Sequence, residues 1–240
     1  MRTNLGGDGL LVAWNLKTGY VADTTKASRR PDPGEEREVP TCVAVSHDNM
    51  LVAVGTDEGA VLVWELKAPR GRGPKKLRPR HESFRPHKDA VRGTVFRLGS
   101  HELVSVSDDQ TCAVLDADAA SMDSQLTLGL RPNCFDAVGG CALVGGWDAR
   151  VLLCDVDQGS VEELATLAAR VQDVALSADG RLGMATTSAD VGVPQLLVWE
   201  LSSRQLLRSY CDLSEWVSRG IPCVISADGR VALSATWDRS

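Results

Sequence analysis

The densest run of reactive charge in this 240-residue chain is "KAPRGRGPKKLRPRHESFRPHK" (Lys67–Lys88). It sets Arg70, Arg72, Lys75, Lys76, Arg78, Arg80, Arg85 and Lys88 against a single acid, Glu82. Lysine and arginine clustered among proline and glycine can act as a nuclear-import signal or touch phosphates of nucleic acid or anionic lipid. Phe84 is the one aromatic in the run, too few for a base-stacking platform. "GRGPKK" looks like a phosphate loop, but Pro74 removes a needed N–H and no helix follows. Covalent chemistry lacks material. The chain has no GxSxG elbow, no GxxxxGK[ST], no GxGxxG after a strand and no HExxH. The acid pairs Asp108-Asp109 and Glu162-Glu163 fall in turns or at strand ends, where acids are expected anyway. The four histidines lack ligand spacing with any cysteine pair, so neither a metal nor another cofactor is expected, and no enzymatic activity.

Seven cysteines (Cys42, Cys112, Cys134, Cys141, Cys154, Cys211 and Cys223), most of them in apolar runs such as "VLLCDV", form no CxxC pair. They read as buried small hydrophobes in a reducing compartment, the alternative being a Cys134–Cys141 bridge across a hairpin. A formal net charge of −6 argues against nucleic acid as a partner of the whole chain. No apolar run reaches the roughly 18–20 residues that span a bilayer, and the N-terminus makes a poor signal peptide. Cytoplasmic or nuclear residence follows.

The elements that position these residues are strands. Helical periodicity is almost missing; Val- and Leu-rich runs alternate with Gly, Asp, Ser and Pro clusters. "VLVWEL" (61–66), "CAVLDA" (112–117), "VLLCDV" (151–156), "LLVWEL" (196–201) and "LVAWNL" (11–16) share one form. Their key position is Trp14, Trp64, Leu115, Cys154 and Trp199. Upstream lies a second shared form, strand–turn–strand–acidic turn, in "VAVSHDNMLVAVGTDEG", "VALSADGRLGMATTSAD" and "CVISADGRVALSATWDRS". The Asp179-Gly180 and Asp228-Gly229 turns are hairpin signals, because glycine accepts the positive φ they need.

A period of about 40–50 residues holding three or four strands indicates a β-propeller. On these residues the chain resembles the WD-repeat (WD40) family. The resemblance implies an all-β fold of four-stranded antiparallel blades. One domain over residues 1–240 is expected, with repeats near 1–25, 39–68, 87–120, 127–167 and 168–212 and a partial one at 213–240. The alternatives are a ring of about five blades or a piece of a seven-bladed ring. No repeat carries Trp-Asp at the end of its third strand. The family's Gly-His is reduced to His87, so its His–Asp–Ser–Trp hydrogen-bond set is complete in none. Blades held by Val and Leu packing more than by polar networks are therefore expected.

In such a fold Trp14, Trp64 and Trp199 occupy the buried third-strand position. The resemblance places Trp147, Trp216 and Trp237, with Arg170, on the loop face where relatives bind peptides. Trp and Arg are the residue types enriched at interface hot spots. The implied function is a non-catalytic scaffold for a protein or peptide partner. Alternatives are nucleic-acid or anionic-lipid binding through Arg70–Lys88, or a regulatory segment of a larger signalling protein.

Overall fold

The computed structural model describes residues 2–5, 10–14, 21–26, 38–67, 76–81, 84–187, 195–210 and 222–234. These contain strands and turns and no helix. The chain divides into two compact units, 1–125 and 126–240.

In the first unit, β1 (Arg2–Leu5), β2 (Leu10–Trp14) and β3 (Val21–Lys26) make a three-stranded sheet. Next come two four-stranded meanders. One is β4 (Pro40–Val45), β5 (Leu51–Thr56), β6 (Val61–Lys67) and β7 (Lys76–Pro79); the other is β8 (Val91–Phe96), β9 (Glu102–Ser107), β10 (Thr111–Asp116) and β11 (Ser121–Thr127). The unit boundary falls inside β11. The second unit begins with β12 (Pro132–Val138), β13 (Cys141–Gly146), β14 (Arg150–Asp155) and β15 (Ser160–Thr166). It continues with β16 (Val171–Leu176), β17 (Leu182–Thr187), β18 (Leu196–Glu200) and β19 (Gln205–Tyr210), and ends in the pair β20 (Cys223–Ile225) and β21 (Ala232–Ser234). Every pairing is between antiparallel neighbours in sequence, as in propeller blades.

The second strand of the β4–β7, β8–β11 and β12–β15 sheets is buried along nearly its whole length, because both of its faces are covered. Within each unit the core therefore lies between successive sheets. One layer packs Leu11 and Ala13 against Val52, Val54 and Trp64. Another packs Leu51 and Val63 against Val91, Leu103 and Leu115. In the second unit Leu143, Val151 and Leu153 meet Val171, Val174 and Trp199. Trp64 and Trp199 are buried as expected, whereas the side chain of Trp14 lies outside the described residues.

The predicted hairpins form, and three share one device. Ser46, Ser177 and Ser226 each donate a hydroxyl bond of 2.6 Å to the aspartate two residues on (Asp48, Asp179, Asp228). Each serine oxygen then accepts the N–H five residues on. Asn49, Gly180 and Gly229 supply the left-handed turn residue.

The first strand of every complete sheet is bulged, with Thr41, Arg92, Asn133 or Gln172 as the extra residue. Two of these side chains fasten one sheet to the next. Thr41 donates to the Val91 carbonyl, and Asn133 donates to the Val171 carbonyl at 2.8 Å. Two carboxylates do likewise, with Asp136 accepting the Leu176 N–H and Asp173 that of Cys223.

One alternative falls away and one expectation needs correction. Cys134 and Cys141 form no bridge: Cys134 lies opposite Gly145 and Cys141 opposite Val138, so neither faces the other, and both are free thiols. Polar networks also hold more than Val and Leu packing suggested. His87 is buried with Nδ1 2.9 Å from the Thr111 hydroxyl, Nε2 2.8 Å from that of Ser105, and Asp109 3.5 Å away. Three members of the family's set are thus present in the β8–β11 sheet, and Leu115 stands where the tryptophan would be. Thr111, which also donates to Asp109, closes the network. Burial pushes the His87 pKa down, opposed by the Asp109 charge, so the imidazole is held neutral.

Candidate interaction site on the loop face of the second unit

The stretch "GGWDARV" folds from a conflict between a tight turn and a large side chain. β13 ends at Gly146, where a Cβ would stand 2.3 Å from Asp148 Oδ1. Asp148 needs that space, since its Oδ1 accepts the Arg150 N–H at 3.3 Å and its Oδ2 the Arg150 Nε–H at 2.7 Å. Ala149 completes the turn at φ 70°. With the Asp148 carboxylate held by Arg150, Trp147 projects outward beside it. It is 46% exposed, against 5% for Trp64 and 2% for Trp199.

Two connectors clamp this turn from either side. The Trp147 N–H donates to the Arg131 carbonyl, and an Arg150 terminal N–H donates to the Gly129 carbonyl at 2.6 Å; both belong to the segment before β12. The Leu167 N–H, after β15, donates to the Ala149 carbonyl at 2.9 Å. Arg170, just before β16, lays its guanidinium 4.8 Å from the Trp147 ring centroid, a cation–π stack. Trp147 and Arg170 are thus in direct contact. Trp216 and Trp237 lie outside the described residues.

The basic segment is divided between roles. Lys76 and Arg78 are exposed on edge strand β7, flanking the buried Leu77. Arg80 pairs with Asp118 at 2.8 Å. Arg85 pairs with Glu38 and Glu58. Arg70, Arg72 and Lys75 lie outside the described residues.

The acid pairs are engaged structurally. Arg92 holds Asp108, while Asp109 accepts the Lys88 N–H and faces His87. Glu162 and Glu163 lie within β15 rather than in a turn, and pair with Arg204 and Arg150. At the opposite strand ends of the second unit, Gly140, Leu153, Asp157, Arg181, Leu201 and Arg204 help line an open cleft of about 400 Å³. Sequence reasoning missed this cleft, because its walls come from turns some forty residues apart that share no motif. Among the described residues no group of three His, Cys, Asp or Glu side chains is placed to hold a metal ion. No described helix is long and apolar enough to cross a membrane.

Successive four-stranded antiparallel meanders with cores between them define the β-propeller class. Residues 33–65 match the family model "WD domain, G-beta repeat". Two solved structures share the fold: "Structure of U3-55K", with a TM-score of 0.75 at 19% identity over 98% of this chain and 69% of that one, and "Crystal Structure of Mitotic Checkpoint Complex", with 0.69 at 15% over 97% and 71%. The chain thus carries one matched WD repeat and shares the β-propeller fold of these structures.

Among curated proteins it is similar to human U3 small nucleolar RNA-interacting protein 2, 28% identical over 102 residues. That match covers 41% of this chain but only 19% of the relative. An uncharacterized WD repeat-containing protein of Schizosaccharomyces pombe is 30% identical over 94 residues, 39% of this chain and 16% of that protein.

Proposed function

We propose that this chain is a non-catalytic scaffold that binds a protein or peptide partner on the loop face of its second unit, with Trp147 and Arg170 as anchors. The supporting observation is Trp147 itself, a large aromatic held 46% exposed on a turn fixed by backbone bonds to both flanking connectors. Ordering such a side chain in advance lowers the entropy cost of binding. Trp216 and Trp237 extend the same surface in this reading, and the chain resides in the cytoplasm or nucleus.

The test is affinity capture from a nuclear and cytoplasmic extract with the tagged chain. Trp147→Ala should reduce recovery of the specific partner by roughly 30-fold, as for a hot spot worth about 2 kcal/mol, with the thermal midpoint nearly unchanged. Loss of the folded state on Trp147→Ala would instead assign that side chain to packing.

A second reading is favoured by the name of the human relative, which describes an RNA-interacting protein. In it the chain joins a nuclear ribonucleoprotein, with the segment Arg70, Arg72, Lys75, Lys76, Arg78 and Arg80 contacting phosphate. A salt titration separates the two, since release of counterions from nucleic acid gives a steep slope that a tryptophan-anchored contact lacks.

A further inference from the structure

We propose that the open cleft of the second unit is a further docking site, taking a partner segment in which an arginine or lysine adjoins an aliphatic residue. The cleft lies at the strand ends away from Trp147 and is independent of that surface.

Strand register builds one wall. Cys141 pairs with Asp155, Leu153 with Glu162 and Asp155 with Ser160, so these side chains share one face of β13–β15. That face is turned toward β16–β19, because Leu153 shares a core there with Val171 and Trp199. Across from it stand Arg181, from the β16–β17 turn, and Leu201 and Arg204, from the turn after β18. Buried Leu153 and Leu201 give an apolar floor. A volume of about 400 Å³ is within the range of binding pockets. The β12–β13 turn is Gly139-Gly140 alone, so it brings no side chain into the opening.

Electrostatics selects the occupant. Asp155, Asp157 and Glu162 line the cleft against two guanidiniums. One of these is already engaged, since Arg204 Nε donates to Glu162 at 2.9 Å and a terminal N–H donates to the Leu201 carbonyl. The other, Arg181, is 72% exposed, and its ion pair with Glu200 is 3.9 Å long. Asp155 uses one oxygen on its own turn, where Oδ1 accepts the Asp157 and Gln158 N–H groups at 3.1 and 2.9 Å. Its Oδ2, Glu162 Oε1 and the Ser160 hydroxyl carry no bond among the described residues. A partner's guanidinium or ammonium satisfies these acceptors, and the adjoining aliphatic side chain covers Leu153 and Leu201.

The first unit shows which side chain fills such a place. There His101 sits between Asp48 and Asp118, 3.0 Å from each. Arg181 is its counterpart. Each precedes the second strand of its sheet, and each carbonyl accepts the N–H of the residue after the third strand, Ala117 or Leu201. Asp48 has no counterpart in the Gly139-Gly140 turn, and Ser202 stands where Asp118 does. A base held between acids is thus internal to the first unit. In the second, the acids stand instead at Asp155 and Glu162, and a partner supplies the base.

Fluorescence anisotropy on the full chain tests this with labelled Gly/Ser peptides whose centre is Leu-Arg-Leu, Leu-Gln-Leu, Leu-Glu-Leu or Ser-Arg-Ser. The Leu-Arg-Leu peptide should bind about 10-fold more tightly than the other three, as for a hydrogen-bonded charge beside buried apolar area. Asp155→Asn keeps the oxygen that accepts the turn N–H groups and removes the charge. It should weaken Leu-Arg-Leu binding about 10-fold at an unchanged thermal midpoint. Arg181→Gln, at an exposed position, guards against a folding defect. It should tighten binding by about 2-fold or more, because a like charge is removed. Trp147→Ala should leave the affinity unchanged.

Equal binding of the Arg and Gln peptides would overturn the inference, as would no saturable binding of Leu-Arg-Leu up to about 1 mM. Tightest binding of the Glu peptide would overturn it in favour of an acidic segment held by Arg181. Equal binding of Ser-Arg-Ser would overturn it by reducing the effect to bare charge attraction. An affinity unmoved by both Asp155→Asn and Arg181→Gln, or lost in Trp147→Ala, would place the peptide elsewhere and overturn it too.

Discussion

Gly145 and Thr111 show how much single positions carry here. A Cβ on Gly145 would stand 2.4 Å from Val171 Cγ1 and 2.5 Å from Cys134 Sγ, and one on Gly55 would meet Cys42 and Val91 in the same way. Each glycine admits a cysteine and a valine from the neighbouring strands into the layer between two sheets. Gly145→Ala should destabilise the protein by about 1–3 kcal/mol through overpacking, read as a lower denaturant midpoint at unchanged slope. At Thr111, loss of the hydroxyl leaves His87 Nδ1 without its 2.9 Å partner in a buried site. Thr111→Val should cost about 1–3 kcal/mol. Combined with Ser105→Ala, its cost should differ from the sum, because both hydroxyls serve one imidazole.

Between elements of the first unit, a clip joins two sheets. His101, in the β8–β9 turn, sets Nε2 3.0 Å from Asp48 of the β4–β5 turn and Nδ1 3.0 Å from Asp118, which also pairs with Arg80. Asp48 first, then Asp118, raises the His101 pKa. The Asp48 carboxyl is held down at about 2, chiefly by the Ser46 hydroxyl and then by His101. A raised histidine stabilises fully below its unfolded value and loses that contribution as pH rises through the folded one. The lowered aspartate stabilises above its unfolded value and loses that as pH falls toward 2. The clip therefore works best between about pH 4 and 6.5. His101→Gln should lower the thermal midpoint most near pH 5.5 and progressively less toward pH 8.5. Solvent exposure limits the effect to about 1 kcal/mol or less. His87 carries the opposite sign: buried and neutral, it favours the unfolded state as pH falls below its ordinary value.

For the molecule as a whole, the thiols report integrity. Cys112, Cys154 and Cys223 are 1%, 1% and 4% exposed. Burial pushes the thiol of Cys154 up to about 12 and that of the half-buried Cys141 to about 11, and raises that of Cys223. The thiolate is the reactive form, so maleimide labelling at pH 7.5, mapped by mass spectrometry, should leave Cys112, Cys154 and Cys223 unmodified for hours. In denaturant all three should label within minutes. Fast native labelling of Cys154 would mean that the β12–β15 sheet opens readily on the face that carries it.

The repeat, the strands and the turns were legible in the residues because they depend on neighbours in sequence. Val- and Leu-rich runs must be covered on both faces, and Ser-x-Asp-Gly closes a hairpin with its own side chains. The outward position of Trp147 was legible for the same reason, since it falls in the short turn between two apolar strands. Contacts between segments far apart along the chain were not. The stack of Arg170 on Trp147, the Thr111 route that completes the His87 network, the separation of Cys134 from Cys141 and the division of the basic segment among Asp118, Glu38 and Glu58 all depend on sheet register and on which turns meet. Register is set by packing across whole sheets. Local pattern determined what each strand is, and tertiary packing decided which side chains meet.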